Sequence, residues 1–218
     1  MQLKFPELRQ FVFHNVFSKC FIGFLVLGAL PFACMDTTDI IFIINNFIAS
    51  THLDSFMKIY TNLATGWVFA GLAVILLFIS FRYSAMMCVC GILVFIVTTL
   101  CKRYIFFDEM RPTVEFGLQQ FSHIMHNYDY LQKYSFPSGH TMAAFAAAAL
   151  LSYFIKNTYV HIALFIYAVL IAFSRIYLLE HFYRDVFWGA LSAYCIIAII
   201  LSAYPLFAKI PNRGFLKK

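Results

Sequence analysis

Charge is scarce in this chain. Only 12% of its 218 residues are Asp, Glu, Lys or Arg, about half the roughly 25% that soluble domains carry. With 62% of residues hydrophobic, that scarcity excludes an ordinary soluble domain and predicts a chain embedded in lipid. There is also no single basic stripe. The net charge of +6 is scattered between apolar runs, which excludes a nucleic-acid surface and fits membrane topology. No internal repeat and no low-complexity tract is present. The cysteines at 20, 34, 88, 90, 101 and 195 fall nearly all in apolar runs, where a thiol behaves as a small hydrophobe, and no disulfide is assigned. Cys88-Val89-Cys90 has no histidine nearby to complete a metal site. No small-residue cleavage site follows the first apolar run, so that run is read as a retained span.

What is there is a series of apolar segments near 17–35, 61–81, 84–103, 138–155, 160–178 and 185–207, each close to the about 20 residues that cross a hydrocarbon core. The stretch 39–50, interrupted by Asn45 and Asn46, is too short to span and is read as an interfacial helix. The expected fold is therefore all-α: one domain over 1–218, a six-span transmembrane bundle with a short interfacial helix after span one. Six spans put both termini on one side. Lys4, Arg9, Lys19, Arg82, Lys156, Lys209, Arg213, Lys217 and Lys218 share that side, against Lys58, Lys102, Arg103, Arg111, Lys133, Arg175 and Arg184 opposite. Most of the second group belongs to polar islands with another use. The positive-inside rule then places the termini in the cytoplasm and the islands at the outer face of the membrane.

Three such islands stand out, because ionisable groups at membrane depth are costly and usually mark a site. In Ser174-Arg175-Ile176-Tyr177-Leu178-Leu179-Glu180-His181-Phe182-Tyr183-Arg184-Asp185, His181 and Asp185 are four apart and share a face of a helix. The carboxylate can accept from one imidazole nitrogen, holding a neutral tautomer and freeing the other nitrogen to attack. The bland alternative for this pair is a satisfied His–Asp cap at the start of span six. The Arg175 guanidinium matches two phosphate oxygens; its bland alternative is a snorkelling interfacial arginine. Glu180 and Arg184 point elsewhere if the local helix continues, and are left out of the catalytic set. In Pro137-Ser138-Gly139-His140, Ser138 is placed as a helix N-cap. Gly139 lets an anion approach the backbone N–H groups of that terminus, and His140 is positioned to protonate a leaving oxygen. Lys102, Arg103 and Arg111 add cations at the exit of span three. His123 and His126 make a His-x-x-His pair with no clear third ligand, so exposed loop histidines are the preferred reading over zinc. The loop 104–136 sits over the islands as a lid or substrate mouth.

Together these residues make the chain resemble the type 2 phosphatidic acid phosphatase superfamily. Its second and third motifs match without a gap, at Pro137-Ser138-Gly139-His140 and at Ser174-Arg175, His181 and Asp185. The first departs from the usual Lys-x6-Arg-Pro, since eight residues separate Lys102 from Arg111; Lys102 is the first choice for the lysine role and Arg103 the second. The resemblance implies that His181 is the nucleophile, Asp185 its orienter and His140 the acid, with Lys102, Arg111, Ser138, Gly139 and Arg175 binding phosphate. It implies no metal and no cofactor. The expected function is a lipid phosphatase of the bacterial inner membrane, hydrolysing a lipid phosphate or diphosphate through a phosphohistidine on the periplasmic side. Undecaprenyl diphosphate and lipid A rank above phosphatidylglycerol phosphate and phosphatidic acid. The partners are that lipid substrate and the bilayer, with no nucleic acid. Vanadate-dependent haloperoxidases resemble the same pocket but are soluble, and six spans argue against that role. A non-enzymatic anion or lipid transporter would need no nucleophile. Reporter fusions at the carboxyl terminus and within 113–135 are expected to report opposite compartments; both reporters on one side would end the six-span reading.

Overall fold

A computed structural model describes residues 5–126 and 128–216; Lys4, Lys217 and Lys218, counted above for topology, lie outside them. The chain is all-α. In order the helices are α1 (Pro6–His14), α2 (Val16–Cys34), α3 (Asp39–Phe47), α4 (Thr51–Thr61), α5 (Gly66–Ile79), α6 (Phe81–Leu100), α7 (Pro112–Glu115), α8 (Gly139–Phe154), α9 (Thr158–Tyr177), α10 (Tyr183–Ser202) and α11 (Tyr204–Phe207). Side-chain caps start several of them. Asn15 accepts from the Ser18 N–H, Ser80 from Tyr83, and Asn157 from Tyr159 and Val160, each satisfying backbone donors that the first turn leaves free.

All six expected apolar segments contain a helix, but they differ in reach. Four helical stretches are long and apolar enough to cross a membrane: Val16–Cys34, Phe81–Ile105, Thr158–Tyr177 and Tyr183–Ser202. The expected second span is not one rod. Thr51–Ala64 and Gly66–Ile79 meet at a 56° bend and cross as one broken span if at all. The expected fourth span, α8, has only 16 residues. Length and composition therefore give four spans, or five with the bent pair. The shortness of α8 has a packing reason. Every residue from Thr141 to Leu150 is buried, so α8 is sheathed by α6, α9 and α10 and needs no lipid-facing length. Exposed apolar side chains such as Val26, Leu27, Ile75, Phe95, Ile166 and Ile199 lie on the outer helices, where they suit lipid rather than water.

Small residues let the central helices close. The Ala143–Ala149 stretch packs α8 against its neighbours through alanines and Phe145, the device of membrane bundles that lack a hydrophobic drive between helices. At Gly189 of α10 an added Cβ would sit 2.7 Å from the Ser138 carbonyl oxygen, and backbone cannot step aside as a flexible side chain can. The six cysteines are free.

At one end of the bundle stand the start of α8, the end of α9 and the start of α10, beside the exit of α6. That exit loosens into a π-turn over Cys101–Ile105, with the Phe106 N–H donating to the Cys101 carbonyl across 2.7 Å. A π-turn inserts an extra residue into a helix and recurs at functional sites; it absorbs part of the longer spacing between Lys102 and Arg111. The loop beyond is ordered by its own backbone. Met110 bridges antiparallel to Lys133, the Arg111 N–H donates to the Gln132 carbonyl, and Ser135 N–H to that of Glu109. Phe42 of α3 meets Phe116 edge-on and stacks with Phe121, and Asn45 pairs with the backbone of His123 in both directions. Gly189→Ala is expected to push α10 off α8 and cost roughly 1–3 kcal/mol, the usual range for overpacking. Thermal unfolding in detergent checks this, and an unchanged Tm would show that the contact yields freely.

Candidate active site

Each polar island owes its position to a different element. Ser138 caps α8, its hydroxyl oxygen accepting from the Thr141 N–H, and its own N–H donates to the Asp185 carbonyl at 3.0 Å. The α8 terminus is thereby tied to the first turn of α10. Gly139 sits where a Cβ would come within 3.1 Å of Thr98. Arg175 closes the last turn of α9 and is buried; its Nη1 donates to Thr61 Oγ1 at 2.8 Å. Thr61 is available because the helix breaks there. Arg111 is buried at the foot of the ordered loop, donating from Nε to the Lys133 carbonyl and from Nη1 to the Glu180 carbonyl. Lys102 is half-buried and within electrostatic reach of Arg111, Arg175, Asp185 and Glu180, whereas Arg103 is exposed.

His181 and Asp185 meet, but not as neighbours on one helix. His181 precedes α10, which begins at Tyr183. Asp185 reaches back instead, its Oδ2 accepting the Phe182 N–H at 3.0 Å and the Ser135 hydroxyl, with His181 Nδ1 at 3.4 Å. Such a first-turn carboxylate satisfies a free helix donor and complements the helix dipole. Nδ1 thus faces the carboxylate, and Nε2 carries no hydrogen bond among the described residues. Burial first, then the positive charges of Arg111, Lys102 and Arg175, holds the His181 imidazole well below the ordinary histidine value of 6.5. This favours the neutral ring, and with Nδ1–H facing Asp185 it is Nε2 that keeps the free lone pair.

Glu180 overturns the expectation that it points away. Leu179 adopts a left-handed backbone, φ 56°, uncommon for a side chain of this kind, so the helix does not continue and the Glu180 side chain turns inward. Its carboxylate is buried, contacts Arg111 Nη1 and lies 3.5 Å from Arg175 Nη2. It also accepts from the Tyr128 hydroxyl at 2.9 Å. Burial and the Glu180 charge push that phenol up, which keeps it protonated as a donor. Arg184 pairs with Glu109 and stays partly exposed. Ser135, Thr61 and Tyr128 are further partners that motif reading misses; the one local signal is a carboxylate, Glu180, ending an apolar run. His123 binds Asp54 through Nε2 at 3.0 Å, and His126 is exposed. Among the described residues no cluster of three His, Cys, Asp or Glu stands ready for a metal.

Two cavities flank the site. One of about 680 Å³ runs between α5, α6 and α8 and reaches Gly139 and His140 past apolar walls such as Phe69, Ile92 and Phe95. A second of about 450 Å³, lined by Lys102, Arg103, Arg111 and Lys133, shares Thr98 and Thr99 with the first. An apolar slot thus opens beside a cationic one.

A helical bundle with these three islands gathered at one end is the architecture of a membrane phosphatase. The PAP2 superfamily matches residues 80–208, more than half of the chain, and the chain belongs to it. Among solved structures it is similar to LpxE of Aquifex aeolicus, at 30% identity over 76% of this chain and 93% of that one, with a TM-score of 0.61. It also shares the fold of the first transmembrane PAP2-type phosphatidylglycerolphosphate phosphatase from Bacillus subtilis, at 23% identity over 89% and 95% of the two chains, TM-score 0.56. No curated protein matches it by sequence. The fold and family define a multi-pass bacterial membrane protein of the lipid phosphatase class.

Because the folded His181 has its pKa below that of an unfolded histidine, the unfolded chain takes up the proton first as pH falls. This residue therefore costs stability progressively below about pH 6.5. NMR of ring-labelled histidine should find the His181 imidazole neutral at pH 6.5. A titration centred at or above 6.5 would show that the cations do not act on it.

Proposed function

We propose that this protein hydrolyses a lipid phosphate or diphosphate through a phosphohistidine on His181, at the periplasmic face of the bacterial inner membrane. The observation that carries this reading is the buried His181, its Nδ1 facing Asp185 and its ring within reach of the charges of Lys102, Arg111 and Arg175. In the first step His181 Nε2 attacks phosphorus, a P–N bond forms and the bond to the lipid oxygen breaks. His140, which burial and the same cations bias towards its neutral form, takes up a proton as the phosphate dianion binds beside it and gives it to that oxygen. The three cations and the N–H groups at the start of α8 hold the equatorial oxygens, where charge builds in the transition state. Asp185 stabilises the positive charge that develops on the phosphorylated ring. In the second step water attacks phosphorus with its proton taken by His140, the P–N bond breaks, and orthophosphate leaves. The apolar cavity reaching His140 supports an acyl or prenyl chain on the leaving side.

Undecaprenyl diphosphate and the phosphates of lipid A are the favoured substrates, ahead of phosphatidylglycerol phosphate and phosphatidic acid. Fixed cations do the work that divalent ions do in other phosphatases, so turnover should survive chelators, and vanadate should inhibit by mimicking five-coordinate phosphorus. The periplasmic placement is supported by the excess of cations on the terminal side.

His181→Ala should be inactive on every substrate. His140→Ala should lose on the order of 10²–10⁴-fold on a lipid substrate and regain part of that on an aryl phosphate whose leaving group needs no proton. Rapid-quench labelling with a phosphorus-labelled lipid should trap acid-labile phosphate on His181. Label on His140, or normal turnover by His181→Ala, would reverse the assigned roles; metal-restored activity after chelation would replace the metal-free mechanism.

A further inference from the structure

Glu180 is a buried carboxylate inside a phosphate-binding site, which is an odd place for a negative charge. It competes for the same two guanidiniums that a phosphate needs: its Oε2 contacts Arg111 and lies 3.5 Å from Arg175 Nη2. Removing charge from such a site should strengthen anion binding, so its presence calls for a reason. Two features supply one. Its carboxylate is fixed from a third direction by Tyr128, and its carbonyl oxygen accepts from Arg111, so it sets the separation and plane of the two forks. It also changes the charge of the site. The cations facing the phosphate position are Lys102, Arg111 and Arg175, and the carboxylates are Glu180 and Asp185. Arg184 is paired with Glu109, while Arg103 and Lys133 are exposed at the cavity mouth, where water and salt screen them.

From this balance we infer that Glu180 sets the charge of the phosphate group the site accepts, and selects a lipid phosphate monoester over a diphosphate. The inference rests on the phosphatase reading. With Glu180 ionised these groups leave one net positive charge, and the proton that His140 must carry as the acid makes it two, which matches a phosphate dianion. The further charge of a diphosphate would meet Glu180 at short range, where dielectric screening is weak. Glu180 is thus a positioning and specificity residue that acts through Arg111 and Arg175 rather than on the reacting atoms. Among the favoured substrates this selects the monophosphates of lipid A-type molecules over undecaprenyl diphosphate.

The test measures the affinities of orthophosphate and pyrophosphate for the purified full chain by calorimetry, alongside kcat/KM on a lipid monophosphate and the diphosphate of the same lipid. The wild type should bind pyrophosphate no more tightly than orthophosphate and prefer the monophosphate lipid. Glu180→Gln, which keeps the shape and removes the charge, should raise the pyrophosphate-to-orthophosphate affinity ratio about tenfold. Glu180→Asp should keep the wild-type ratio even where both affinities fall. A purely structural role would weaken both anions alike and leave the ratio unmoved, and that outcome overturns the inference. So does a wild type that binds pyrophosphate tenfold more tightly than orthophosphate, a result that needs no folded variant. A wild type that binds neither anion and hydrolyses no lipid phosphate would sink the phosphatase reading itself.

Discussion

The site depends on one arrangement, a buried carboxylate held between two buried guanidiniums. Arg111, Glu180 and Arg175 are each almost fully removed from water, and charges of that kind persist only with partners, because an uncompensated one costs several kcal/mol. Each member arrives from a different part of the chain. Arg111 is delivered by the outer loop, Arg175 by the last turn of α9, and Glu180 by the left-handed turn at Leu179. Thr61, at the break between α4 and α5, and Tyr128, in the outer loop, complete the shell. The broken helix, the loop and the α9–α10 connection are therefore fixed by the same charges that would receive a phosphate.

The histidine is prepared by the same field. Cations around His181 that oppose its protonation would also attract a phosphate dianion, so in the proposed mechanism one set of charges disfavours the imidazolium and draws the electrophile to the ring. Asp185 faces the ring at 3.4 Å through Oδ2, which the Phe182 N–H and the Ser135 hydroxyl hold in place. In the proposed mechanism it would orient the resting ring, and its charge would count most when the ring turns positive.

The fold around these groups is built for close approach rather than bulk. An alanine-rich α8, enclosed by α6, α9 and α10, carries His140 on its first turn, and Gly189 lets α10 lie against the Ser138 backbone. The apolar cavity ending at His140 and the cationic one beside it share a wall at Thr98 and Thr99. A lipid phosphate of the kind proposed would keep its chain in the apolar slot while its head group entered the charged end.

The sequence by itself determined whatever is written in short spacings and long apolar runs. Scarce charge and six hydrophobic segments required an all-helical membrane chain, Ser138 before an apolar run required a capped helix start, and the Arg175, His181 and Asp185 spacing pointed to the family. Tertiary structure decided the rest, because the deciding contacts join residues far apart in the chain. Ser135 reaches Asp185 and Tyr128 reaches Glu180 across about fifty positions, and Thr61 reaches Arg175 across more than a hundred. No local period encodes such pairs. The single backbone reversal at Leu179, which helical periodicity cannot foresee, turned Glu180 from a bystander into the centre of the site. The bend near residue 64 and the short α8 were likewise set by packing: a helix sheathed by other helices has no bilayer thickness to match, so hydropathy alone overstates its reach.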